Sequence, residues 1–327
     1  MGVAVRAVHA WIAYLVLCAA PVAAAERYAV VITGASGGVQ YAKKYDGWRD
    51  AFVGTLEQKL GLPRDHIVVL AEEAAPPVRR ATREGVRAVF QDFARHVAQD
   101  DVLLVLLIGH GTSGDEGARF NLVGPDLTAA DWAGLIKPIA GRVVFVNAAS
   151  GSFEFLETLA GRGRIVLTAA DSAAQQYETV FPQFFIEAFT SEQADLDRDG
   201  RVSIWEAFQS ASAGVKNWFD DQNRLATERA VLDDNGDGIG TEAGGAGTSG
   251  RPDGQLAQVT HLNREDPGSA TADAELAALL RQRAAVQSRI EQLRADKANL
   301  PPDRYESELE TLLVELARLE RQIRSRS

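Results

Sequence analysis

Cysteine is almost missing from this chain: among 327 residues there is one, Cys18. It lies in the first 25 residues, where Arg6 precedes an apolar core of about ten residues, WIAYLVLCAA. PVAAAE follows, with Ala23 and Ala25 at the two small positions of an A-x-A cleavage site. The segment reads as a secretory leader cut after Ala25. Leu17 stands before Cys18 where a lipoprotein leader has a small residue, so lipid attachment is not expected. After that cut the chain would carry no cysteine, which excludes a disulfide and a thiol nucleophile. Long apolar runs are scarce too. The leader core falls short of the ~20 residues of a spanning helix, so no membrane span is expected after leader removal. Positive charge is in deficit: the net charge is −11, or −12 once Arg6 is lost with the leader, which argues against nucleic acid or anionic lipid as partner. Richness in Ala, Arg and Asp behind such a leader suggests a bacterial exported protein, periplasmic or secreted. Histidine is also sparse. His66, His96 and His261 stand isolated, no spacing joins them into a transition-metal site, and surface or capping roles are expected.

What is present, from residue 27 onward, is alternation. Apolar runs at 28–34 (YAVVITG), 66–71 (HIVVLA), 102–109 (VLLVLLIG), 142–148 (RVVFVNA) and 164–170 (RIVLTAA) read as strands. Helical patterns lie between them at about 46–60, 82–98, 128–138 and 152–160. Near-continuously apolar strands alternating with amphipathic segments predict an α/β fold with a mostly parallel sheet and helices on both faces. In such sheets the functional crevice lies beyond the carboxyl ends of the strands. Four small polar loops fall there: GASGG (34–38), GHGTSG (109–114), NAASGS (147–152) and AADSA (169–173). Trp48, Trp132, Trp205 and Trp218 fall in helical segments and are expected in the core or in grooves. Lys44 and Arg49 are available to an acidic ligand.

Residues 177–232 read as mostly helical, broken by an acidic loop at 195–206. Residues 236–254 carry eight glycines and read as a flexible linker. Two helical patterns follow within 272–325, separated by Leu300-Pro301-Pro302-Asp303. Tyr305, Leu309, Leu312, Leu316, Leu319 and Ile323 recur at alternating spacings of 4 and 3; Leu276, Leu279, Val286, Ile290 and Leu293 form a matching seam interrupted by Arg283. Asp303 with Glu306 resembles a capping pair at the second start. A helical hairpin or short coiled coil is expected, either packing on its own domain or serving self-association. The organisation expected is a leader at 1–25, an α/β domain at 26–192, a calcium-binding helical extension at 193–240, a linker at 241–270 and the hairpin at 271–327.

The turn TGASGGV (33–39) after the first strand resembles the first turn of the short-chain dehydrogenases, T-G-x-x-x-G-x-G. The last position here is Gln40, and no Tyr-x-x-x-Lys pair is present, since Tyr177 is followed by Phe181 and Tyr41 by Tyr45. A Gly-rich turn alone is a weak signal.

A better match starts from His110, between two glycines at the end of the third run. A hydrophobic strand ending in His-Gly, then another ending in a small S-G loop, resembles the caspase–legumain group of cysteine peptidases over roughly residues 27–190. In its legumain-like branch the nucleophile strand ends Glu-Ala-Cys-Glu-Ser-Gly-Ser. Placing Ser-Gly-Ser on Ser150-Gly151-Ser152 in VFVNAASGSF puts the cysteine position on Ala148 and the acidic position on Val146. The resemblance implies a caspase-like fold that retains the base position, His110, and lacks the nucleophile. In that chemistry a thiolate attacks the peptide carbonyl and the His protonates the leaving amine, and alanine cannot take the first step. The alternative is a hydrolase using His110 with Ser150 or Ser152, a carboxylate among Asp115, Glu116 and Asp171 orienting the imidazole. Against it stands the two-residue offset, since each extended residue advances ~3.3–3.6 Å. The plain reading of Ser152 is the N-cap of the helix at 153–160.

The fullest local motif is DLDRDGRVSIWE (195–206), which fits the twelve-residue EF-hand template D-x-D-x-D-G-x5-E. Asp195, Asp197 and Asp199 offer carboxylates, Gly200 the sharp turn, Arg201 its carbonyl, Ser203 a direct or water-mediated contact, and Glu206 two oxygens. A hard cation taking six to eight oxygens accounts for this set, and Ca2+ is the expected cofactor. DDNGDGIGTEAG (233–244) begins alike with Asp233, Asn235 and Asp237, yet position 12 is Gly244 and Glu242 comes two residues early. It is either a truncated calcium loop or an acidic turn. Together these features predict an exported calcium-binding protein that binds a peptide or protein in its strand-end crevice, or associates through its C-terminal helices.

Overall fold

The computed structural model describes residues 25–114, 117–172, 174–175, 177–244, 252–263 and 300–324, with residues 279, 282, 283, 286, 289, 290, 293, 294 and 297 between them. Residues 1–24, Asp115, Glu116 and much of 264–299 lie outside the described residues.

The sheet is built on β1 (Arg27–Thr33), β2 (Ile67–Ala71), β4 (Val102–Ile108), β8 (Arg142–Asn147) and β9 (Arg164–Thr168), the five strands expected from the apolar runs. A two-residue β3 (Arg79–Arg80) closes one edge. At the other edge β10 (Val231–Asp233) and β11 (Thr241–Glu242) run antiparallel. The order across eight strands is β11-β10-β9-β8-β4-β1-β2-β3, parallel from β9 to β3. A separate small sheet joins β5 (Gly111–Thr112), β6 (Arg119–Phe120) and β7 (Leu127–Thr128).

All seven residues of β4 are buried, as a central parallel strand covered on both faces requires. Its side chains alternate between two cores. Leu104, Leu106 and Ile108 meet one face with helices α1 (Val39–Gly54), α5 (Phe181–Ala188) and α6 (Ile204–Asp221). Leu103, Val105 and Leu107 meet the other with α2 (Arg83–His96), α3 (Ala129–Ile136) and α4 (Glu154–Leu159). The second core centres on Trp132, fully buried and edge-on to Phe90, Phe120 and Phe145. Thr82 caps α2 by accepting from Gly85 N, and a full Thr128–Asp131 capping box starts α3.

Four expectations need correction. Helix α1 starts at Val39 rather than near 46; Gly38 gives no side-chain cap, so the sequence carries no start signal there. What holds its first turns is the face made by Tyr41, Tyr45, Trp48 and Phe52, all packed in the first core. The region 177–232 has helices α5 and α6 with the expected acidic break between them, but residues 222–230 are not helical and the region ends in strand β10. The Gly-rich stretch is not all linker: residues 231–242 form the β10–β11 hairpin on the sheet edge, and α7 (Gln255–Gln258) packs against α6. Gly236 and Gly238 take positive φ in that hairpin, so the glycines serve a tight acidic turn. Finally, the C-terminal helix α8 (Pro302–Arg324) begins at Pro302, whose fixed φ suits a first helical position, and Asp303 falls inside the first turn. Its seam residues Leu312 and Leu319 cluster with Val286, Ile290 and Leu293, while Leu279, Tyr305, Leu309 and Leu316 pack around them.

Candidate functional site

In strand order the chain reverses direction between β1 and β4, which places a crevice beyond their carboxyl ends. His110 follows β4 directly and lies there. Its Nε2 is 3.1 Å from the Tyr45 hydroxyl, and Tyr41 stands edge-on to the imidazole at 4.9 Å. Burial, followed by the charge of Glu178, pushes the Tyr45 hydroxyl well above its ordinary pKa. It is therefore a neutral hydrogen-bonding partner, not a phenolate. Glu178 in turn pairs with Lys44 at 3.0 Å, and Lys44 lies 4.8 Å over the Trp48 ring. Arg49 is held by Asp46 and Asp50. Both cations offered above to an acidic ligand are thus engaged by carboxylates of the chain itself. Tyr41 and Tyr45 could have been read from their i,i+4 spacing; Glu178 could not, because only the fold brings it near.

The small loops of β4 and β8 meet. Gly111 N donates to Ser150 Oγ and the Ser150 hydroxyl donates to Gly111 O, each at 3.2 Å. A Cβ on Gly111 would stand 2.4 Å from Ser150 O and 2.8 Å from Arg119 O, so only glycine fits. Ala148 is fully buried and belongs to the first core; its carbonyl accepts from the Thr179 hydroxyl. Ser150 is 2 % exposed and committed to Gly111. Ser152 is fully buried and accepts from Ala170 N, so it ties β8 to the loop after β9 and does not cap α4, whose first turn has no side-chain cap. Asp171 pairs with Arg229 at 3.1 Å and accepts from Gln175 at 2.6 Å. Asp115 and Glu116 lie outside the described residues. Among the described residues no Ser–His–carboxylate relay is assembled, because each serine hydroxyl is satisfied by backbone.

The Gly-rich turn is likewise closed. Gly34 N donates to Ile108 O, and a Cβ there would lie 2.3 Å from Asn121 O. Ser36 N, an amide that a phosphate would need, donates to Glu72 Oε2 at 3.0 Å. A dinucleotide phosphate would meet this carboxylate.

At the other end of the sheet from the crevice, beside the first residues of β1 and β8, the acidic loop precedes α6. One oxygen of each of Asp195, Asp197 and Asp199 lies within 4.8 Å of the others. Arg198 and Gly200 turn the chain with φ of 58° and 85°. The Asp197 carboxyl is raised above its usual range by burial and then by the charge of Asp199, with Glu206 and Asp195 adding to it. Converging carboxylates that repel one another could hold a metal ion. Glu206 also starts the helix. Its Oε1 accepts from Leu196 N and Asp197 N, and its Oε2 accepts from Ser203 N and the Ser203 hydroxyl, completing a capping box. It ties the loop to the helix and is not part of the three-carboxylate cluster. Arg201 turns its guanidinium to Asp199 at 3.0 Å. His261, expected at the surface, lies instead against this loop: Ser203 and His261 bridge as antiparallel strands and Nε2 is 3.8 Å from Asp199. Burial and then Arg201 lower its pKa to about 4. No local pattern around His261 marks that position.

In the second loop Asp233 accepts from Gly236 N at 2.7 Å and from Gly238 N at 2.5 Å, and burial pushes its carboxyl up to about 6. Asn235 accepts from Asp237 N and Asp237 from Ile239 N, each at 2.8 Å. Asp253 reaches back to accept from Asp234 N and the Thr241 hydroxyl. The three loop positions serve as turn acceptors, as Asp195, Asp197 and Asp199 also do in the first loop, where they accept from the amides of Asp199, Gly200 and Arg201.

No protein-family model and no curated protein matches the chain. Among solved structures, a Geobacter sulfurreducens protein superposes with a TM-score of 0.42 at 10% identity, covering 64% of this chain and 92% of its own. Chaetomium thermophilum Raptor superposes with a TM-score of 0.34 at 10% identity, covering 87% of this chain and 24% of its own. The functional reading rests on the residues of this chain.

Proposed function

We propose that this is an exported calcium-binding protein on a caspase/legumain-like α/β fold that has lost peptidase chemistry and acts by binding. The observation that carries the reading is Ala148, fully buried at the end of β8, where the resemblance requires a nucleophile. The His110 imidazole has a tyrosine hydroxyl for partner in place of a thiol or serine. Beyond the strand ends Tyr41, Trp48 and His110 cluster around the buried Tyr45, and on this reading their exposed parts serve a peptide or protein partner rather than a reaction. Calcium would be held by Asp195, Asp197, Asp199 and the Arg201 carbonyl, with Ser203 and Glu206 completing the loop. Bound there, the ion would neutralise the carboxylates and stiffen the approach to α6; an extracellular-type site of ~10⁻⁴–10⁻³ M would serve a structural role.

The test is turnover of a fluorogenic peptide pool by protein beginning at Glu26, with and without calcium, beside His110→Ala. The reading expects no turnover in any arm. Turnover that disappears in His110→Ala would instead establish a hydrolase and point to Ser150 or Ser152.

A further inference from the structure

Helix α8 carries two apolar residues that its own seam does not use. Leu313 is 43% exposed and Val314 is 45% exposed, at the middle of Pro302–Arg324. The seam of Tyr305, Leu309, Leu312, Leu316 and Leu319 packs toward Val286, Ile290 and Leu293. At 3.6 residues per turn the centre of the outer face lies roughly 130° around the helix from that seam. Along this face run Glu306, Glu310, Leu313, Val314, Ala317 and Arg321, all exposed. The order matters: acidic toward the N-terminus, apolar in the middle, basic toward the C-terminus.

Such a stripe is complementary to itself only when reversed. We propose that the outer face of α8 binds a second copy of this chain, the two helices antiparallel about a two-fold axis between Leu313 and Val314. With the axis there, Leu313 of one copy meets Val314 of the other, Glu310 meets Ala317, and Glu306 meets Arg321, each contact occurring twice as an isologous interface demands. A parallel pairing would set Glu306 against Glu306 and Arg321 against Arg321, so the charges select the antiparallel arrangement. The surface belongs to a different part of the molecule from the crevice and the acidic loops, and the proposal does not depend on calcium.

The experiment is sedimentation equilibrium of the full chain from Glu26, in wild type, Leu313→Glu, Glu306→Arg, Arg321→Glu and the Glu306→Arg/Arg321→Glu double variant, with circular dichroism on each. Wild type is expected to dimerise. Leu313→Glu and each single charge reversal should weaken the dimer, by on the order of tenfold or more for Leu313→Glu. The double variant, which restores opposite charges across the axis, should recover most of the wild-type association. All substitutions are at exposed positions, so helicity should hold. A wild-type monomer throughout the concentration series overturns the proposal. So does a dimer indifferent to Leu313→Glu, or a double variant no tighter than the single reversals.

Discussion

Glu228 offers the sharpest test of the packing beside the crevice. Its carboxylate is 6% exposed and accepts from Val180 N and Phe181 N, both at 2.8 Å, at the start of α5. Burial raises its pKa to about 7; the two amides and the charge of Lys44 oppose that rise without offsetting it, and Glu178 adds to it. In the unfolded chain the group titrates near 4.5. The folded state therefore holds the proton more tightly. The stability this confers is fully present below pH ~4.5 and is lost as pH rises through about 7. A difference of this size corresponds to about 3 kcal/mol, at ~1.4 kcal/mol per pH unit. Glu228→Gln removes the titration while keeping an acceptor for one of the two amides. Urea unfolding of wild type and variant at pH 5 and pH 8 isolates the group, because every other titration cancels in the difference. The expected result is a variant less stable than wild type at pH 5, with the gap closing or reversing by about 3 kcal/mol at pH 8. Parallel pH profiles for the two proteins would refute the argument and mean that Glu228 is solvated or ionised throughout.

Other perturbations probe the meeting of the two small loops. Gly111→Ala, whose methyl would press on the backbone oxygens of Ser150 and Arg119, should cost about 1–3 kcal/mol in urea unfolding. An unchanged midpoint would show that the loops do not pack as described. Ala148→Cys in protein beginning at Glu26 should place a thiol in the core. It should react with a thiol reagent only after denaturation and should not generate peptide hydrolysis; rapid labelling of the native protein would place position 148 in an open crevice. Trp132→Ala, at the centre of the second core, should lower stability by about 3–5 kcal/mol, and a loss under ~1 kcal/mol would contradict its full burial.

Much of the sheet was legible because a buried parallel strand announces itself. VLLVLLI and RVVFVN are apolar on both faces, as a parallel strand covered on both sides requires. The His110 loop and the Ser150 loop were legible as neighbours from their place at strand ends. The partners of those residues were not. Glu178, Glu228 and His261 come from distant segments, and an isolated acid or histidine carries no periodicity. The β10–β11 hairpin was hidden for a different reason. Its glycines resemble a linker in composition, while their positive φ values in fact serve an acidic turn paired to the sheet edge. Glu206 matched its template by spacing, and the side chain of a residue three past an N-cap serine is also the natural capping partner, a geometry it takes here.

The most direct measurement is a calorimetric calcium titration of the protein from Glu26, beside Asp195→Asn/Asp197→Asn and Glu206→Gln. The account predicts saturable calcium binding in wild type, a higher unfolding temperature with calcium, loss of both in the double variant, and weakening of both in Glu206→Gln. Absence of binding heat and of any thermal shift in millimolar calcium would contradict it, and the acidic loop would then be a turn held by its own backbone.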